Sequence, residues 1–133
     1  MRYLLDTNVV IDILRDNKNV TRCYQLETLK RSKMYICPIV YYEVVRGFTI
    51  GGATRRLERF LQLYKDWAML TFDKDVAIKA VDIYRQIHKQ TIEDNDIYIA
   101  AISMVNGCTL VTANVNHFGR VEGLNFVNWR DHD

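Results

Sequence analysis

Four polar residues stand at the margins of apolar segments, where their chemistry asks for an explanation. Asp6 directly follows Tyr3, Leu4 and Leu5, and Glu43 lies inside an otherwise apolar stretch. Asp96 precedes Ile97, and Asn114 comes shortly after Leu110 and Val111. Three carboxylates gathered in one place repel, since two unit charges about 4 Å apart interact by roughly 4 kcal/mol at an effective dielectric of 20. A cation removes that penalty. The donors are hard oxygens without an accompanying Cys or His cluster, so Mg²⁺ or Mn²⁺ is favoured over zinc. His88, His117 and His132 have no metal-ligand spacing. A metal held by carboxylates orients a water, lowers its pKa and stabilises charge developing on a phosphodiester, which is the chemistry of many nucleases.

Taken singly, each residue also has an ordinary explanation. Asp6 suits an Asx turn or a helix cap. Glu43 would pair on a helix with Arg46, one turn later. Asp94 and Asp96 both sit where a helix N-terminus welcomes negative charge, and we assign Asp94 as the cap or outer acid and Asp96 as the ligand. Asn114 is a common turn former and, being neutral, at best a weak or water-mediated metal contact. The signal therefore lies in the combination, which requires a fold that brings distant segments together.

Such a fold is legible in the periodicity. Short apolar runs at 2–5, 34–37, 69–72, 109–112 and 124–127 read as strands, and the segments between them read as helices. The predicted helices cover 9–15, 20–30, 40–48, 53–67, 73–88 and 95–105, with Asp73 as an N-cap and Gly107 as a C-terminal signal. Inward positions are expected at Tyr24, Leu26 and Leu29 in the second helix and at Leu57, Phe60, Leu61 and Tyr64 in the fourth. In the fifth they are expected at Val76, Ala77, Ala80, Val81, Tyr84 and Ile87. Gly47 and the Gly51-Gly52 pair should end the third helix, and Asn114, Asn116 and Gly119 should lie in a turn. Strands alternating with helices imply an α/β fold with a parallel sheet covered on both faces. Active groups in such sheets collect beyond the carboxyl ends of the strands, where Asp6, Glu43, Asp96 and Asn114 all fall.

Composition narrows the class of protein. A chain of 133 residues, 49% hydrophobic and 26% charged, with one proline and six glycines, is expected to form a single ordered domain over 1–133. The net charge of +2 is too small to mark a nucleic-acid binder, so any such surface must be local. Its candidates are Lys30, Arg31, Lys33, Arg55, Arg56 and Arg59, most of which read equally as an ordinary solvated face. Asp6 and Asp12 interrupt the first apolar stretch, and neither a signal-peptide core nor a membrane span is expected. Three widely spaced cysteines argue against a disulfide framework and place the protein in a reducing cytoplasm.

On these residues the sequence resembles the PIN-domain ribonucleases, and within them the VapC-type toxins of bacterial and archaeal toxin-antitoxin pairs. The resemblance rests on Tyr3 to Asn8, on Tyr42-Glu43-Val44 with Arg46-Gly47, and on Asp96 through Ala101. Leu110 through Asn114 with His117-Phe118, and Gly123-Leu124 through Asn128-Trp129, complete it. It implies a three-layer α/β/α sandwich and a Mg²⁺-dependent ribonuclease leaving a 5′-phosphate. Asp6 and Asp96 would hold the metal, and Glu43 would bind it directly or position the attacking water. Asn8, Asp94, Thr112 and Asn114 would support the pocket, and Arg46 is a candidate contact for RNA or a partner. The resemblance further implies a homodimer, a VapB-type antitoxin whose tail covers the active site, and a structured substrate such as tRNA. Antitoxin contacts are expected on the second and fourth helices. Many PIN domains have a fourth acid where this chain has Asn114, which puts a second metal in doubt.

Two rivals are kept. A phosphoryl-transfer enzyme with Asp6 as nucleophile would resemble a haloacid-dehalogenase-like phosphatase or a response-regulator receiver. The first would want an acid where Asn8 stands, and the second an acidic pair before its phosphorylated Asp. The other rival is a non-catalytic PIN-like module that binds RNA or protein, which the presence of all three acids disfavours.

Overall fold

The computed structural model describes residues 1–87 and 92–131. Strands β1 (Arg2–Leu5), β2 (Lys33–Ile36), β3 (Ala68–Met69), β4 (Thr109–Val111) and β5 (Phe126–Val127) form one sheet in the order β3-β2-β1-β4-β5. Every pairing is parallel, with Leu4 opposite both Tyr35 and Leu110. The central strand shows why. Leu4 and Leu5 point to opposite faces and both have no exposure, as a strand covered on both sides requires.

The helices are α1 (Thr7–Leu14), α2 (Lys18–Leu29), α3 (Pro38–Ile50), α4 (Thr54–Tyr64), α5 (Lys74–Ile87), α6 (Asp94–Val105) and α7 (Val115–Phe118), and a 3₁₀ turn covers Trp129–Asp131. They fall into two groups: α1 packs on α2, α3 and α4, whereas α6 packs on α5 and α7. From β1 the chain steps outward through β2 to β3, then returns to β4 on the other side of β1. With right-handed crossovers, that reversal places the two groups on opposite faces of the sheet, giving three layers. It also makes the β1–β4 boundary a topological switch point, where a crevice opens beyond the strand ends.

Local sequence explains most boundaries. Asp6 caps α1, Asn17 caps α2 by accepting from Val20 N at 3.1 Å, and Asp73 accepts from Val76 N at 3.0 Å ahead of α5. Pro38 opens α3, where its missing N–H is no loss. Gly107 follows α6 with φ of +63°, as its C-terminal signal promised. The three cysteines are buried and free. Among the described residues no helix is long and apolar enough to cross a membrane.

Several expectations are corrected. The inward stripe of α5 is Val76, Ala80, Ile83 and Ile87, while Val81 and Tyr84 are about half exposed. The predicted set mixed this stripe with its neighbour, one 100° step round the helix. In α2 the buried residues are Val20 and Cys23, Tyr24 is half-buried, and Leu26 and Leu29 face outward. Leu61 of α4 is likewise exposed. Gly47 lies inside α3, which runs on to Ile50, because one glycine costs a helix only about 1 kcal/mol. The stretch after Asn114 contains the short α7. β3 is two residues long, so Thr71 and Phe72 lie beyond it. His88, where the fifth helix was expected to end, and His132 lie outside the described residues.

Candidate active site

Asp6 occupies the turn between β1 and α1. Its N–H donates to Val111 O at 3.0 Å, which pins the turn to the end of β4. The side chain is buried and accepts from neutral donors: Thr7 N at 2.8 Å on Oδ1, and Thr112 Oγ1 at 2.7 Å and Asn8 Nδ2 at 3.3 Å on Oδ2. Among the described residues no cation touches it. Burial pushes its carboxyl up to about 6. Hydrogen bonds from Thr112 and Thr7 pull the other way, and the negative charges of Asp96 and Glu43 add to the upward push.

Those last two charges come from separate elements. Glu43, in the second turn of α3, accepts from Thr7 Oγ1 at 3.0 Å on Oε1. Asp96, in the first turn of α6, meets His117 Nδ1 at 2.9 Å and Asn114 Nδ2 at 3.5 Å through Oδ2. Asn114 N donates to Thr112 Oγ1 at 3.0 Å, and Asn8 Oδ1 accepts from Ala113 N at 3.1 Å. A hydrogen-bonded chain thus runs from Glu43 through Thr7 to Asp6, then through Thr112 and Asn114 to Asp96. Among the described residues, Asp96 Oδ1 and Glu43 Oε2 carry no hydrogen bond.

This arrangement is open. Among the described residues no three His, Cys, Asp or Glu side chains form a ready metal cage. The donor chemistry nevertheless fits a hard divalent ion. Mg²⁺ retains several waters and needs only one or two direct carboxylates. A buried carboxylate without a cation, beside two more acids, is relieved by exactly such a charge.

The other expected site residues are dispersed. Asp94 is the first residue of α6, not its cap; Glu93 holds that position, without a side-chain bond. Asp94 is exposed and lines a different hollow with Phe72, Tyr84 and Tyr98. Arg46 forms no ion pair with Glu43; its guanidinium lies 5.0 Å from the centroid of the Tyr42 ring. Lys30 pairs with Glu27, and Arg59 pairs with Asp16 at 3.0 Å beyond the far end of α1. Lys30, Arg31 and Lys33 stand where β2 begins, at the opposite end of the sheet from the acids. Arg55 and Arg56 are exposed on α4.

His117 is the residue that spacing alone passed over. It lies one turn beyond Asn114 and reaches Asp96 across 21 positions of sequence. The available signal was the pair of polar residues Asn114 and His117 three apart, facing one way once the segment is helical.

Residues 3–124 match the family model for the PIN domain. The chain belongs to the PIN-domain family. Its relatives include Ribonuclease VapC1 of Methanocaldococcus jannaschii, 29% identical over 91% of this chain and 82% of that protein. Ribonuclease VapC2 of Haemophilus influenzae is 29% identical over 97% of this chain and 98% of that protein. In structure, this PIN domain is similar to a chain of VapBC2 from Rickettsia felis bound to a promoter DNA fragment, with a TM-score of 0.85 and 22% identity. That likeness covers 97% of this chain and 99% of the other. FitAcB from Neisseria gonorrhoeae gives 0.79 and 24%, over 98% and 99%. These likenesses show the fold, and the family match meets the resemblance read from the motifs.

Proposed function

We propose that this PIN domain is a divalent-metal-dependent ribonuclease, using Mg²⁺ or Mn²⁺, and the toxin of a toxin-antitoxin pair. The observation that carries the reading is Asp6: buried, held by neutral donors, facing the charges of Asp96 and Glu43, and without a cation of its own. Relatives named as VapC ribonucleases along nearly the whole chain support it. Asp6 and Asp96 would hold the ion, with Glu43 binding it directly or through a water. When bound, the ion supplies charge neutralisation at the phosphodiester and an acidified water.

The chain's own residues do the positioning. Thr7 and Thr112 fix Asp6, and Thr7 also fixes Glu43. His117 and Asn114 hold one oxygen of Asp96 and leave the other open. Asn8 and Asn114 tie these groups to the end of β4 and stay neutral, so they add no repulsion. Hydrolysis of RNA in this site would leave a 5′-phosphate. The VapBC complexes among its structural neighbours support a VapB-type antitoxin as partner, and we assign a homodimer working in the cytoplasm.

The test is purified, antitoxin-free protein incubated with mixed RNA, including tRNA, and Mg²⁺ beside an EDTA control. Cleavage should require the metal and disappear in Asp96→Asn. An active Asp96→Asn enzyme would refute the assignment. Metal-independent behaviour, with RNA bound but never cut, would return the chain to a non-catalytic PIN-like module.

A further inference from the structure

The face of α3 beside Glu43 carries a second feature that the cleavage site does not use. Tyr42 is 60% exposed, a high value for an aromatic ring, and Ile50 is 80% exposed. Together with Tyr41, Val45, Arg46 and Thr49 they line a shallow hollow of about 300 Å³. The Arg46 guanidinium carbon lies over the Tyr42 ring, 5.0 Å from its centroid.

The orientation of Arg46 is informative. Glu43 stands one helical turn before it, and a plain solvated face would pair the two. Arg46 instead lies on the ring, and among the described residues no carboxylate neutralises it. The hollow itself has no acidic lining residue. An uncompensated guanidinium, the exposed aromatic ring it lies over and an apolar floor thus adjoin a residue of the cleavage site. Single-stranded RNA is read by this combination: unstacked bases lie on Tyr rings and Arg planes, while the cation attracts the phosphate. Arg46 lies one helical turn beyond Glu43, about 5–6 Å away at Cβ, so a base seated on this face would neighbour a phosphate at the metal site that Glu43 would line.

We propose that Tyr42 and Arg46 form a stacking platform for one unpaired base of the RNA, next to the bond that is cut. The proposal rests on the ribonuclease reading and makes the substrate single-stranded at that position.

The test uses the full chain and short single-stranded RNAs carrying one 2-aminopurine, its position moved along the strand. In EDTA, where the RNA stays intact, wild type and Tyr42→Phe should quench the probe strongly at one position, and Tyr42→Ala should not. In Mg²⁺, Tyr42→Ala should raise KM about tenfold with kcat little changed, the pattern of lost uniform binding. Arg46→Gln should raise KM and flatten its salt dependence. Because Tyr42 is exposed, the melting temperature of Tyr42→Ala should match wild type, which separates the effect from misfolding. A wild type that cleaves RNA while Tyr42→Ala keeps its KM and its quenching overturns the platform and leaves the ribonuclease reading intact. A wild type that quenches the probe at one position, loses that quenching in Tyr42→Ala and yet cuts nothing keeps the stacked base but sinks the nuclease, and with it the platform's place beside a cut bond. If both variants lose affinity only for a protein inhibitor, with RNA parameters unmoved, the face belongs to a protein and the RNA assignment falls.

Discussion

Asp6 caps the short helix α1 and Asp12 lies in its last turns, both nearly inaccessible at 5% and 8% exposure, yet the fold treats their charges in opposite ways. Asp12 is clasped by Arg130, whose Nη2 donates at 3.0 Å to one carboxylate oxygen while Nε donates to the other. That bidentate bond raises the Arg130 pKa and ties the 3₁₀ turn to α1, with Trp129 edge-on to Tyr3 alongside. Asp6 receives three hydrogen bonds from neutral groups, no cation, and the repulsion of two further acids. A buried carboxylate with its own guanidinium is complete. One surrounded by neutral donors and like charge is left for something the chain does not supply, and that difference separates a structural acid from a functional one.

The largest expected effect comes from replacing each of the two acids by its amide. Asp6→Asn should cost RNA cleavage about 10³-fold in kcat/KM, close to 4 kcal/mol, whereas Asp12→Asn, once folded, should stay within about threefold of wild type. Steady-state cleavage with Mg²⁺ decides it. Greater loss in Asp12→Asn would erase the distinction.

Stability should follow the reverse pattern. Arg130→Ala leaves Asp12 buried without its cation and should lower the unfolding free energy by about 3 kcal/mol in urea titration. Asp12→Ala should cost less, because Arg130 is 45% exposed and can return to water. An Arg130→Ala protein as stable as wild type would show that the clasp contributes nothing.

Asp6 should instead stabilise when neutralised. Its folded pKa of about 6 lies above the ordinary 3.8, so the native state holds the proton more tightly than the unfolded chain. Stability linked to this group is therefore fully present below pH 3.8, declines as pH rises toward 6, and is lost above it. In EDTA at pH 7.5, Asp6→Asn should be more stable than wild type by roughly 1–2 kcal/mol, after discounting the charge-assisted hydrogen bonds it forfeits. The gain should vanish near pH 3.5. A gain that persisted there would assign the effect to packing.

How much of this was visible in the residue string differs between the same two acids. The alternation of strands with helices, the parallel sheet and the expectation of Asp6, Glu43 and Asp96 near strand ends follow from apolar period and turn chemistry, whereas the order of strands within the sheet does not. The direction of α5 did not, because Val76, Ala80 and Ile83 share their turns with Ala77, Val81 and Tyr84, and a helix apolar over so wide an arc does not fix its own rotation. The Asp12–Arg130 clasp spans 118 positions and needs the C-terminal turn to be in place, which no local pattern announces. His117 was hidden for a related reason: its partner Asp96 lies on another helix. Spacing reveals ligands within one element and is silent about pairs assembled by the sheet.

The smallest expected effect tests whether the open and closed ends of the molecule are independent. Lys33 begins β2, and the acids lie past its end. Four residues of strand rise about 3.3 Å each, so roughly 13 Å separates Lys33 from the site, more than the Debye length of about 8 Å at physiological ionic strength. Lys33→Gln should therefore change KM for RNA by less than about twofold and leave its salt dependence intact, whereas Arg46→Gln should reduce the slope by about one counterion. Paired salt titrations of the two variants measure this directly. If Lys33 moved the slope as far as Arg46, RNA would be wrapping both ends of the sheet, and the clasp at Asp12 would sit under substrate rather than apart from it.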